Sequence, residues 1–328
     1  MSLTRLNIAF ISPDTSGFNS VLRYSTAQSQ FVWDNSEYFY PFQQGTVSGY
    51  TSGGTTPPFV YLNIIDKFPF AADANATDVG DLTVARNSAA GQSSSSSGYT
   101  SGGFFPYFST IDKFPFSADG NASDVGDLTQ ARSGLAGQSS RFSGYSSGGF
   151  APPSYVNTID KFPFAADGNA TDVGNLTVVR APAGQNSLVS GYASGGDSPG
   201  IVNTIDKFPF ATDANASDVG DLTQIRYYSA GQSSTESGYT SGGYAPPTSF
   251  NTIDKFPFAA DGNATDVGDL TQARAGSAGQ SSTASGYTSG GSPPFVNTID
   301  KFPFSTDSNA SDVGDLTQVR RESAGQQV

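Results

Sequence analysis

Residues 111–132 read IDKFPFSADGNASDVGDLTQAR, and this phrase decides the architecture because the chain repeats it. Copies begin at Ile65, Ile111, Ile159, Ile205, Ile253 and Ile299, spaced 46 or 48 residues apart, and each runs 21 residues from its Ile to a terminal Arg. That period is too long for a coiled coil and suits stacked units or propeller blades. No segment keeps a helical apolar period over three turns. Short runs bounded by Gly, Asn and Ser dominate instead, so the chain reads as all-β.

Four strand candidates fill each period. In the second full copy they are the small-residue run at 88–93, GYTSGG at 98–103, STIDKFPF at 109–116 and SDVGDLTQAR at 123–132. Asp119-Gly120-Asn121 turns the chain between the last two. This order suits a propeller blade: small residues fit the innermost strands around a narrow channel, and the Phe pair with Val125 and Leu128 fills the space between blades. Burying one Phe contributes about 1.5–3 kcal/mol, so six Phe-Pro-Phe units carry much of the core. Pro115 cannot donate to a ladder and belongs at the end of the third strand.

From each terminal Arg to the second Gly of the next Ser-Gly-Gly is 17 residues, except 16 between Arg180 and Gly196. From that Gly to the next Ile the distance runs from 8 to 11, so the large variation sits in one loop per copy. The ends predict a seventh blade. The run 321–326 repeats an innermost strand with no second strand after it, and 6–11, 20–25 and 30–34 supply three strand candidates to complete it. Closure of that kind removes both free edges. Six blades, with residues 1–37 as an arm or anchor and 38–328 as the propeller, is the alternative.

Composition excludes several chemistries. With no cysteine and no histidine among 328 residues, the chain has no disulfide, thiol nucleophile, serine–histidine triad or imidazole-bound zinc. A net charge of -13 without a basic tract argues against a nucleic-acid partner. The start, MSLTRLNIAFISPD, reads as a folded strand rather than a signal peptide, and no apolar run is long enough to span a membrane.

The order of Arg, small residues, Tyr-x-x-Gly-Gly, aromatic strand and Leu-x-x-x-Arg resembles the kelch repeat of β-propellers over roughly residues 38–328. The pairs Gly53-Gly54, Gly102-Gly103, Gly148-Gly149, Gly195-Gly196, Gly242-Gly243 and Gly290-Gly291 look like its double glycine. Tyr50, Tyr99, Tyr145, Tyr192, Tyr239 and Tyr287 stand in the preceding strand. The kelch tryptophan is absent, with Val79, Val125, Val173, Val219, Val267 and Val313 nearby instead. Some kelch-type propellers are copper oxidases, but their copper site needs histidines. The near-identical copies also resemble tandem-repeat proteins from phages of aquatic bacteria. That resemblance implies a virion protein of the tail or fibre apparatus, structural or host-attaching, whose partners are other virion proteins and a host surface glycan or protein. The rival is a free or cell-surface binding module.

Three groups of residues are candidates for function. The variable loops carry Phe59, Tyr61, Phe104, Phe105, Tyr107, Phe108, Phe150, Tyr155, Tyr244, Phe250 and Phe295, which either hold a glycan or protein or lie across neighbouring loops and seal the ring. The acidic turns, with Asp73, Asn75, Asp78, Asp119, Asn121 and Asp124, resemble half of a calcium loop. They lack its glycine, and an Asx turn is the stronger reading, so no cofactor is expected. Asp66, Lys67 and Arg86 read as structural ion pairs across strands within a blade, beside the structural Gly102 and Gly103. Outside the repeat frame, Asp14, Asp34, Glu37, Asp197, Glu236 and Glu322 show no constellation, and the expectation is a non-enzymatic protein.

Overall fold

The computed structural model describes residues 21–25 and 30–34 as strands and residues 44–328 throughout. The chain divides into two units, Met1–Pro41 and Phe42–Val328. In the first, Val21–Ser25 and Gln30–Asp34 pair antiparallel with each other. The expected strand at 6–11 lies outside the described residues.

The second unit is a β-propeller of six four-stranded antiparallel blades. Blade 2 shows the pattern, running outward from Ala90–Ser93 through Ser97–Ser101 and Thr110–Pro115 to Ser123–Asp127. Blades 3 to 6 begin with innermost strands Ala136–Ser139, Ala181–Asn186, Ala230–Ser233 and Ala278–Ser281. Blade 1 takes its innermost strand, Ala324–Gln327, from the far end of the chain and adds Ser48–Ser52, Ile64–Pro69 and Thr77–Asp81.

This corrects the expected seventh blade. The first repeat has a second strand without an inner partner, and the last has an inner strand without an outer one, so each completes the other. Tyr50 faces Gln326 in the register that sets Tyr99 opposite Gln92. The ring closes at six without the N-terminal strands.

Pro115 is the last residue of its strand, as its missing donor requires. A β-bulge between Ile111 and Asp112 leaves Val125 as the extra residue of the outer strand and turns it onto the core. Between blades, Tyr99 packs on Phe162 and Phe164 with ring centroids 5.5 and 4.9 Å away. The same wedge recurs around the ring until Tyr287 meets Phe68 and Phe70 of blade 1. At the axis, a Cβ on Gly91, Gly137, Gly184, Gly231, Gly279 or Gly325 would stand within 3.0 Å of the matching glycine carbonyl in the preceding blade. Only glycine permits that backbone approach.

Polar clamps join the same neighbours. Arg86, at the tail of blade 1, pairs with Asp112 of blade 2 at 2.9 Å, both fully buried, and the Thr83 backbone N–H and hydroxyl donate to the same carboxylate at 2.8 and 2.7 Å. Six such pairs form, ending with Arg320 and Asp66. The expected ion pairs therefore exist but link blades rather than strands of one blade. Identical copies hide that distinction, because Arg86 has an Asp in its own copy and another in the next. Nearer the channel, Gln92 donates to Ser101 of its own blade at 2.9 Å and to the Tyr145 carbonyl of the next at 3.0 Å. On the outside, Lys67 pairs with Asp119 at 2.9 Å, again between blades.

Burial pulls the Arg86 guanidinium below its ordinary value, against the opposing charge of Asp112. Removing one partner of such a buried pair strands the other. Asp112→Asn is expected to cost about 3–5 kcal/mol in chemical unfolding, whereas Lys67→Ala, at an exposed pair, is expected to cost about 1 kcal/mol or less. Equal losses for the two would contradict the assigned roles.

The bond to Asp119 raises Lys67 above 10.5, and burial raises Tyr99 above 10.0; the equivalent Lys161 and Tyr145 shift the same way. The folded state thus holds these protons more tightly than the unfolded chain. Their stabilising contribution is complete below about pH 10 and is lost as pH rises through the folded values. Melting temperature should fall progressively above pH 10; a flat profile to pH 12 would exclude this linkage.

Candidate functional site

The loops after the second and fourth strands share one face of the propeller, and there the copies differ. In blades 1 to 3 the loops after the second strand carry aromatics that touch in series. Tyr61 stacks on Phe105 at 5.3 Å and 6°, and Phe104 meets Tyr107 edge-on at 5.0 Å. Tyr107 reaches Phe150 at 6.0 Å, and Phe150 meets Tyr155 at 5.1 Å. The Tyr155 hydroxyl donates to the Asp197 carboxylate of blade 4.

The loops after the fourth strand form a backbone chain around the channel mouth. Gly276 N–H donates to Tyr228, Glu322 to Gly276, Ser88 to Glu322, and Gly134 to Ser88. Each of these five residues has positive φ, between 51° at Ser88 and 68° at Gly276. The loop that leads from blade 3 into blade 4 lacks the equivalent residue. Pro182 packs against Gly148 where Leu135 packs against Gly102, so the residue missing from the 16-residue spacing is the left-handed one. The chain of bonds therefore stops at Gly134 and resumes at Tyr228, and Ala181 pairs with Asp197 at the break.

These two sets of loops enclose a cleft of about 360 Å³. Phe59, Tyr61, Phe104, Tyr107, Phe150, Tyr155 and Tyr228 supply its rings, and Asn87, Asp197, Arg321 and Glu322 its polar groups. Glu322 accepts from Asn87 Nδ2 and from Ser88 Oγ, and its other oxygen lies 3.3 Å from Arg321 Nε. Burial, the bond to Asp197 and that residue's charge together push Tyr155 well above the usual phenol range. Burial and then Glu322 raise Tyr228 to about 12. Both hydroxyls stay protonated at neutral pH, that of Tyr155 with its proton committed to Asp197.

Of the aromatic loop residues singled out in the sequence, Phe59, Tyr61, Phe104, Tyr107, Phe150 and Tyr155 line the cleft, and Phe105 backs Tyr61 with 59 % of its surface exposed. The others stand apart from its lining. Phe108 lies under Arg86, Phe295 under Arg321, Tyr244 against Tyr227, and the Phe250 carbonyl accepts from Arg274 N–H. The aromatics lie across neighbouring loops, as one reading expected, yet they wall a cleft rather than seal it.

Sequence reasoning missed Asn87, Tyr228 and Arg321, and saw no constellation for Asp197 and Glu322, which the fold brings to one cleft. The available signals were the residue after each terminal Arg, which varies among copies, and the single short spacing after Arg180.

The acidic turns serve as clasps. Asp119 and Asp73 bind Lys67 and Lys301, and Asn121 and Asn75 accept from the backbone N–H of Asp81 and Asp315 in the preceding blade. Asp78 and Asp124 accept from Gly80 and Gly126 two residues on. Among the described residues no three acidic groups gather as metal ligands, and no helix is long and apolar enough to cross a membrane. On the opposite face, Phe142 and Val189 at turn tips of blades 3 and 4 are 63 % and 66 % exposed. No protein-family model matches the chain, and no curated protein matches it.

Because the Asp197 charge helps hold the Tyr155 proton, Asp197→Asn should lower the Tyr155 pKa, read at that residue by alkaline NMR titration with assigned tyrosine ring signals. An unchanged titration would mean that the two groups are not coupled.

Proposed function

We propose that this chain is a non-enzymatic, kelch-like propeller that serves as an attachment component of a phage particle, in its tail or fibre apparatus. The observation that carries the binding half of this reading is the aromatic cleft, an asymmetric feature on a frame otherwise built from equivalent blades. A scaffold that only filled space would have no use for it. The carboxylates that line it are already engaged, Asp197 by Tyr155 and Glu322 by Asn87, Ser88 and Arg321, which suits recognition better than proton transfer. The particle setting is supported by the resemblance of the repeats to phage tandem-repeat proteins. Exposed Phe142 and Val189 leave the opposite face as the surface for docking to other virion proteins.

The second reading, a free or cell-surface binding module, is favoured by the same cleft, which needs no particle to work. A cryo-EM map of the native material, with neighbouring subunits retained, separates the two. The expected result is the propeller docked in a particle through the Phe142 and Val189 face with the cleft pointing outward. A chain found outside any assembly would overturn the virion role.

A further inference from the structure

We infer that the cleft is a saccharide site that takes one mono- or disaccharide per chain. This rests on the binding reading above and adds the ligand class. The first support is the chain's departure from its own symmetry. Ala-Gly-Gln recurs in all six innermost strands, yet the residue after each terminal Arg is Asn87, Ser133, Ala181, Tyr227, Ala275 or Arg321. Four of those six positions line the cleft, together with the aromatic loops of blades 1 to 3. Six equivalent blades would offer six weak sites; these substitutions build one.

The second support is the pairing of chemistries. Ring faces suit the C–H face of a pyranose and bring large contact area at small entropic cost. Asp197 and Glu322 are acceptors for sugar hydroxyls, held in place by Tyr155, Asn87 and Ser88. Charge-assisted hydrogen bonds of this kind are the strong ones. An anionic ligand is disfavoured, since the cleft's cation, Arg321, already pairs with Glu322 and two carboxylates face inward. A volume of about 360 Å³ lies at the small end for ligand sites and is short for a peptide helix or strand. At the break beside Pro182, Ala181 pairs with Asp197, and that carboxylate lines the cleft next to Tyr155, within reach of a ring inserted among the aromatics.

The test uses the full chain on an array of neutral and acidic mono- and disaccharides beside an immobilised peptide library. Calorimetric titration with the best-bound free sugar follows. Binding of a neutral sugar at one site per chain is expected. Phe59→Ala, at a residue 67 % exposed, and Asp197→Asn should each weaken binding by about tenfold or more, Phe59→Ala with unchanged melting temperature. Binding to peptides alone, to acidic sugars alone, or at six sites per chain would overturn the inference, as would affinity that survives both substitutions. The two proposals fail separately. A virion-borne chain that binds no sugar sinks the ligand class alone, and a sugar-binding chain that belongs to no particle sinks the virion role alone.

Discussion

Taking a guanidinium and a carboxylate out of water costs several kcal/mol per ion, which close contact and further hydrogen bonds must offset. At every blade junction of this propeller the carboxylate is well served by such contacts, while the Nε of each of the six buried arginines makes no hydrogen bond to the described residues. Arg86 and Asp112, and their five equivalents, are fully buried, with the threonine of the preceding Leu-Thr donating twice to the same carboxylate. Breaking such a pair is costly even where forming it adds little net stability. A blade docked out of place leaves a charge buried without its partner, so near-identical repeats pack in one arrangement. The Tyr99 wedge between Phe162 and Phe164, the Gln92 bonds to the next blade and the glycine contacts at the axis then fall into line on every junction.

That regularity is what frees the loops. Each blade is fixed on both sides by contacts that the repeat supplies, so the segments after the second and fourth strands can change without disturbing the frame. Blades 1 to 3 use the freedom for aromatics, and the connection from blade 3 to blade 4 is shortened and carries Pro182. Blade 6 and blade 1 meet at Arg321 and Glu322, which line the cleft beside Asn87. Asymmetry on a symmetric support localises one cleft where six equal positions were available.

The frame is legible in the sequence. Constant spacing from Ile111 to Arg132 and its equivalents announced a repeated unit, small residues marked the inner strands, and Pro115 marked a strand end. The aromatic loops were also legible, because substitutions gather where packing does not constrain them. Glu322 and Asp197 were visible as acids outside the repeat, but 125 residues separate them in the chain, and nothing local says that blades 4 and 6 turn both toward one mouth.

By itself the sequence determined an all-β repeat fold, its strand order within a blade, and the loops in which the copies differ. These follow from local pattern: alternation, turn residues and the sizes of side chains. Tertiary structure alone decided the blade count, the partner of each buried charge and the membership of the cleft. All three are properties of ring closure. Whether Ala324–Gln327 joins Ser48–Ser52 depends on how far each blade rotates against the next, and so does whether Arg86 meets the aspartate of its own copy or the following one. Identical copies carry no local mark to distinguish those choices.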